Sequence, residues 1–117
     1  MNKINVASLC ARFDSSSVAE LRLMVQALEG IDYLLLGDVR VQAEAQAYAH
    51  GRELPARSEV LNRAAHVPGL SAQERVLAEL ALHYALIGAA ARDLISPAHY
   101  AVLLTPVAIA WRDEVEV

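Results

Sequence analysis

The chain has 117 residues, a formal net charge of −4 and 56% apolar residues, with aromatics at only 5%. That length suffices to bury a core without disulfide or metal staples. The balance of apolar and charged residues excludes a disordered tail, a collagenous repeat and a basic nucleic-acid arm.

Alanine supplies 22 residues and threonine one. Alanine is the strongest helix former and a poor strand former, so composition points to an all-α chain. Of the ten cations, nine are Arg and one is Lys3. Arginine favours flat, bidentate pairing, so some of these side chains are expected in ion pairs. The Ala- and Arg-rich make-up also suggests a GC-rich bacterial or phage source. Cys10 is the only cysteine. It cannot form an internal disulfide, which fits a reducing, cytoplasmic setting, and a small buried apolar role is its expected one.

In chain order, Val6, Leu9, Cys10 and Phe13 have helical spacing. Ser17-Val18-Ala19-Glu20 is a capping box. It opens a helix with Val18, Leu21, Val25 and Leu28 on one face and Gly30 as its stop. Pro55 has the position of a first-turn proline for a helix to Val67, with Val60, Leu61, Ala64 and Val67 inward. Ser71-Ala72-Gln73-Glu74 is a second capping box, after the Pro68-Gly69 break. It opens the longest pattern, a central helix near 71–94 with Val76, Leu77, Leu80, Tyr84, Ile87, Ala91 and Leu94 inward. Ser96-Pro97 and Thr105-Pro106 each pair an N-cap residue with a proline. They predict one short helix over 97–104 and another from 106. Glu114 to Val117 alternates as a terminal strand would.

Residues 31–50 are ambiguous. Val39 to His50 alternates apolar with polar, a strand period, and Gly37-Asp38 would serve as a hairpin turn. As a helix, the same segment places Leu36, Val39, Ala43 and Ala47 in one stripe and pairs Arg40 with Glu44. Alanine content and the helical context favour the helix. The expected architecture is one all-α domain over 1–117, a bundle of about five to seven helices around the 71–94 helix. The alternative is α+β, with a hairpin at 31–50.

Candidate sites are few. The stretch from Ala91 to Leu103 has a helix-turn-helix cadence, and Leu70 to Leu80 resembles the opening helix of some bacterial helix-turn-helix domains. The would-be reading helix carries no Arg or Lys, so nothing neutralises phosphate and no nucleic-acid partner is expected. Leu94 to Trp111 is uncharged and at the lower edge of membrane-spanning length, but Pro97 and Pro106 divide it, and no membrane partner is expected. Glu79 and His83 stand four apart on one helix face, a legal metal-ligand spacing, to which His50, His66 and His99 could add from neighbouring helices of a bundle. A surface Glu–His pair is the plainer reading of Glu79 and His83. His50 and His66 fall near helix ends, where an imidazole complements the helix dipole. No nucleophile elbow, phosphate loop or cofactor motif is present.

The best signal is for association. Ala78, Ala81, Ala85, Gly88 and Ala89 form a small-residue stripe, and Leu82 and Leu86 widen the apolar arc. Leu34, Leu35 and Leu36 are three consecutive leucines, more than one helix face hides. The expected interface residues are therefore Leu34, Leu35, Leu36, Ala78, Ala81, Leu82, Ala85, Leu86 and Ala89. The function so read is a non-enzymatic helical interaction module, an adaptor, inhibitor or accessory factor, partnered by itself or by another protein, without cofactor. The alternative is a small helical enzyme or ligand-binding protein whose Arg and carboxylate side chains converge in a pocket.

Overall fold

A computed structural model describes residues 6–54, 57–64, 67–113 and 115. Six helices run through them, with no strand among the described residues: α1 Val6–Asp14, α2 Val18–Glu29, α3 Tyr33–Ala49, α4 Arg57–Leu61, α5 Ala72–Ala90 and α6 Pro97–Ala110. The helix count and the long central helix match the sequence expectation. The expected strand at 114–117 and Pro55 lie largely or wholly outside the described residues.

Helix starts follow the caps. Ser17 and Ser71 each accept from the backbone N–H of the glutamate three residues on, and Glu20 and Glu74 reach back to the cap backbone. Ser96 caps α6 through His99 N–H, with Pro97 at the first turn. Asp32 caps α3, its carboxylate accepting from Leu34 and Leu35 at 3.0 and 3.3 Å. Each such bond satisfies an N–H that the helix itself leaves open. Gly30 ends α2 with an ordinary right-handed φ of −84°. Gly69, at φ +87°, makes the turn that feeds Ser71 and needs its missing side chain there.

Segment 31–50 is helix, so the hairpin alternative is overturned. Leu36, Val39, Ala43 and Ala47 are buried as one stripe, and Arg40 meets Glu44 at 3.2 Å. The strand-like alternation in the sequence is alanine alternating with polar residues, and alanine's helix propensity decides the outcome.

Two further expectations are corrected. α6 is one helix, not two, and passes through Pro106. Proline forfeits the backbone bond to Val102 O, but Leu103, Leu104 and Val107 are fully buried around it. Tertiary packing outweighs the local break. α4 is shorter than expected, ending at Leu61 and passing into a turn over 62–64. Val60 and Ala64 still point inward.

α5 is the axle, packed against each of the other five helices. Leu82, Leu86 and Ile87 are fully buried, and each contributes about 1.5–3 kcal/mol relative to exposure. Gly88 lets α6 close in: a Cβ there would stand 3.1 Å from Leu103 Cβ. Arginines then tie the loops down. Arg52 donates to Ala90 O at 2.9 Å and grips Asp93, joining the end of α3 to the end of α5. Arg22 donates to Gly69 O and Glu74, and Arg63 pairs with Asp14 at 2.8 Å. The Arg52 guanidinium holds the Asp93 carboxyl down at about 2.

Candidate functional site

The central helix uses its small-residue stripe inside the subunit. Ala78, Ala81, Leu82, Ala85 and Leu86 have no exposed surface, and Ala89 is half-buried against the core. In the folded chain this stripe is covered by other helices of the same subunit, since α5 packs against all five of them. The expected inward face of this helix is met only in part: Ile87 and Ala91 are fully buried. Val76 is exposed and Leu77, Leu80 and Tyr84 are only half-buried. Small side chains let several helices approach one axis, so the densest packing forms on the alanine and glycine face.

The leucine run divides. Leu36 is buried, Leu35 is half out, and Leu34 is 83% exposed. Leu34 begins an outward stripe along α3. Val41 at 56% and Tyr48 at 86% follow at intervals of seven residues on the same side of α3. Gly37 and Ala45 lie between them, flanked by Asp38 and Glu44, the formal charges three residues to either side of Val41. Seven-residue spacing is the repeat with which one helix seats on another. The signal was legible in the sequence once the buried stripe of α3 is fixed, because the opposite face follows by rotation.

A second feature lies where α1, α2 and the end of α6 meet. A cleft of about 460 Å³ opens between Arg12, Glu20, Arg112 and Asp113 on its polar side. Leu23, Ile109 and Trp111 line its apolar side. The Arg12 guanidinium lies over the Trp111 ring, 5.3 Å from its centroid, and is held by Glu20 and by Ser16 Oγ. Partial burial works to raise the Glu20 pKa, but the Ser17 backbone N–H and Arg12 outweigh it, and the carboxyl sits below its usual range. Trp111 is 2% exposed, and its indole Nε1 has no hydrogen-bond partner. Arg and carboxylate side chains thus converge in a pocket, the feature that a ligand-binding reading requires.

Glu79 and His83 are not a surface pair. They are the buried polar side chains of the core, at 1% and 8% exposure. Glu79 accepts from Ala64 N–H at 2.6 Å and so anchors the turn after α4. Burial raises its pKa, against the opposing pull of the Ala64 and Arg63 backbone and the Arg63 charge. His83 Nδ1 is buried without a partner. Burial lowers the His83 pKa more than Glu44 restores it, and Arg57 and Arg40 lower it further. Among the described residues no three His, Cys, Asp or Glu side chains gather as metal ligands would. His50 is exposed at the end of α3, its Nδ1 2.9 Å from Gln46 O, and His66 lies outside the described residues. Cys10 is a half-buried free thiol packed against the core.

The helix-turn-helix cadence maps to the α5–α6 corner. α6 there is a core helix without Arg or Lys, with Tyr100, Leu103, Leu104 and Val107 buried. Among the described residues no helix is long and apolar enough to cross a membrane. No family model, curated protein or solved structure matches the chain.

Proposed function

We propose that the chain is a cytoplasmic, non-enzymatic helical interaction module, and that its partner is a second copy seated on the outer face of α3. One observation carries this reading: Leu34, Val41 and Tyr48 stand exposed at seven-residue intervals along one side of that helix. Isolated exposed apolar residues are ordinary, but a contiguous stripe on a rigid helix is a docking surface. The face is also self-complementary. Two α3 helices crossing antiparallel at Val41 set Leu34 against Tyr48 of the second copy, and Gly37 against Ala45. Large meets large at the ends and small meets small beside the centre, which lets the axes approach. A two-fold pair needs this kind of match, because one patch must fit itself. The same crossing brings Asp38 near Glu44 of the second copy, and Arg40, 3.2 Å from Glu44, already offsets that carboxylate.

Area sets the expected strength. The three side chains present on the order of 500 Å² per copy, short of the ~800 Å² per partner of a standard interface. Tyr33 and Leu35, exposed on the flanks, bring the total closer. A micromolar, reversible dimer is the expected outcome. Such a module would act as an adaptor, inhibitor or accessory factor whose dimerisation sets its activity.

Sedimentation between about 1 and 100 µM tests this, the range in which a micromolar dimer dissociates. The wild-type chain is expected to shift from monomer to dimer, and Val41→Glu to stay monomeric with an unchanged helical circular-dichroism spectrum. A wild-type chain that is monomeric throughout, or a Val41→Glu chain that dimerises equally well, overturns the reading.

A further inference from the structure

We infer that the cleft at the end of α6 binds a small zwitterion with an apolar body, the chemistry of a hydrophobic α-amino acid. The inference is independent of the α3 face.

Size comes first. At about 460 Å³ the cleft falls within the 300–1,000 Å³ of typical small-molecule sites, and it has room for an amino acid with water around it. Shape comes next. The apolar side is left unfilled: Leu23 and Ile109 are large hydrophobic side chains exposed at its edge, with Trp111 beside them. An apolar side chain laid there removes surface from water on both partners.

Charge fixes the rest of the ligand. Arg12, Arg112, Glu20 and Asp113 all line the cleft, two charges of each sign. Arg12 and Glu20 are engaged with each other, and Glu20 also serves the Ser17 cap. Arg112 and Asp113 are exposed and carry no ion pair among the described residues. A simple anion would gain Arg112 and meet Asp113 as a like charge. A simple cation would meet the reverse. A zwitterion places a carboxylate on Arg112 and an ammonium on Asp113, and neither charge is opposed. The Arg12–Trp111 stack is held by Glu20 and Ser16 before any ligand arrives, so this wall loses little freedom on binding.

Trp111 is the only tryptophan, so its fluorescence reports on the cleft without a label. The test titrates the full chain with L-leucine, L-leucinamide and N-acetyl-L-leucine, followed by fluorescence and by calorimetry. L-leucine is expected to give a saturable signal. The amide, which lacks the carboxylate, and the acetyl derivative, which lacks the ammonium, are each expected to bind at least about tenfold more weakly, since hydrogen bonds to charged groups are the stronger class. Arg112→Gln and Asp113→Asn, both exposed and outside the core, are each expected to weaken L-leucine about tenfold. No saturable signal by either method up to about 10 mM, the weak limit of specific small-ligand affinity, overturns the inference. So does equal binding of the three probes, or unaltered affinity in both variants.

Discussion

α5 and α3 are the two longest helices among the described residues, and they treat apolar side chains in opposite ways. α5 is apolar around most of its girth and buries ten of its nineteen residues inside the subunit, with Val76 the large apolar side chain left exposed. α3 buries a narrow stripe of Leu36, Val39, Ala43 and Ala47, and leaves Leu34, Val41 and Tyr48 in water. On α5 half of the ten buried positions are alanine or glycine, because five neighbouring helices need access to one axis. α3 packs chiefly on α5 and α6, so one face suffices and the other is left over. A surplus of apolar residues therefore does not identify an interface. The number of helices already packed on an element decides whether its surplus is spent internally.

The largest effect expected from breaking this contrast is on stability. Leu86 has no exposed surface, and Leu86→Ala should lower the unfolding free energy by about 2–5 kcal/mol, the cost of a buried leucine plus the cavity it leaves. Leu34→Ala, at an exposed site, should change it by less than about 0.5 kcal/mol in dilute solution. Urea titrations of the two variants at low micromolar concentration make the comparison. Equal losses would mean that α3's outer face is part of the folding core.

Much of this was legible beforehand. The capping boxes at Ser17 and Ser71 and the Ser96-Pro97 start located α2, α5 and α6, because a cap is a local hydrogen-bond pattern written in adjacent residues. The buried stripe of α3 was legible for a similar reason: once the segment is helical, only one face holds Leu36, Val39, Ala43 and Ala47. What stayed hidden depends on contacts distant in sequence. Which side of α5 faces inward is set by Leu103 closing on Gly88 and by helices from both ends of the chain. The Pro106 crossing depends on burial of Leu103, Leu104 and Val107. The cleft joins Arg12 to Trp111 across most of the chain, and no spacing rule connects two such positions.

A smaller and pH-dependent effect is expected at Glu79, the buried charge on the axle. Its folded-state pKa is raised, chiefly by burial. A raised carboxyl contributes stability that is fully present below the unfolded value of about 4.5 and is lost as pH rises through the folded value. At pH 7, well above the unfolded value, folding therefore carries a cost at Glu79. Glu79→Gln keeps an oxygen for the Ala64 N–H and removes that cost, so it should stabilise the protein at pH 7 and match the wild type near pH 4. Glu79→Ala leaves the Ala64 N–H buried without an acceptor and should lose about 1–3 kcal/mol. Urea midpoints of the three chains from pH 4 to pH 7 check the signs. His83 moves the other way. Its lowered pKa contributes stability present above about 6.5 and lost as pH falls through the folded value, so His83→Gln should flatten the acid side of the wild-type curve.

The smallest effect sharpens the contrast most, because it appears only with concentration. If α3's outer face seats a second copy, ligation of one folded chain by another stabilises both by mass action, with a logarithmic dependence on protein concentration. The wild-type melting temperature should rise by a few degrees between low and high micromolar chain, since about 1 kcal/mol shifts a domain of this size by about 4–8 °C. Leu34→Ser removes an apolar contact from the stripe without touching the core, and its melting temperature should stay flat over the same range. Leu86→Ala should melt lower at every concentration yet keep the wild-type slope, because its defect lies inside one subunit. Calorimetry at three concentrations separates the two behaviours. A flat wild-type line would remove the second copy from α3, and a Leu34→Ser line as steep as the wild type would move the interface to another face.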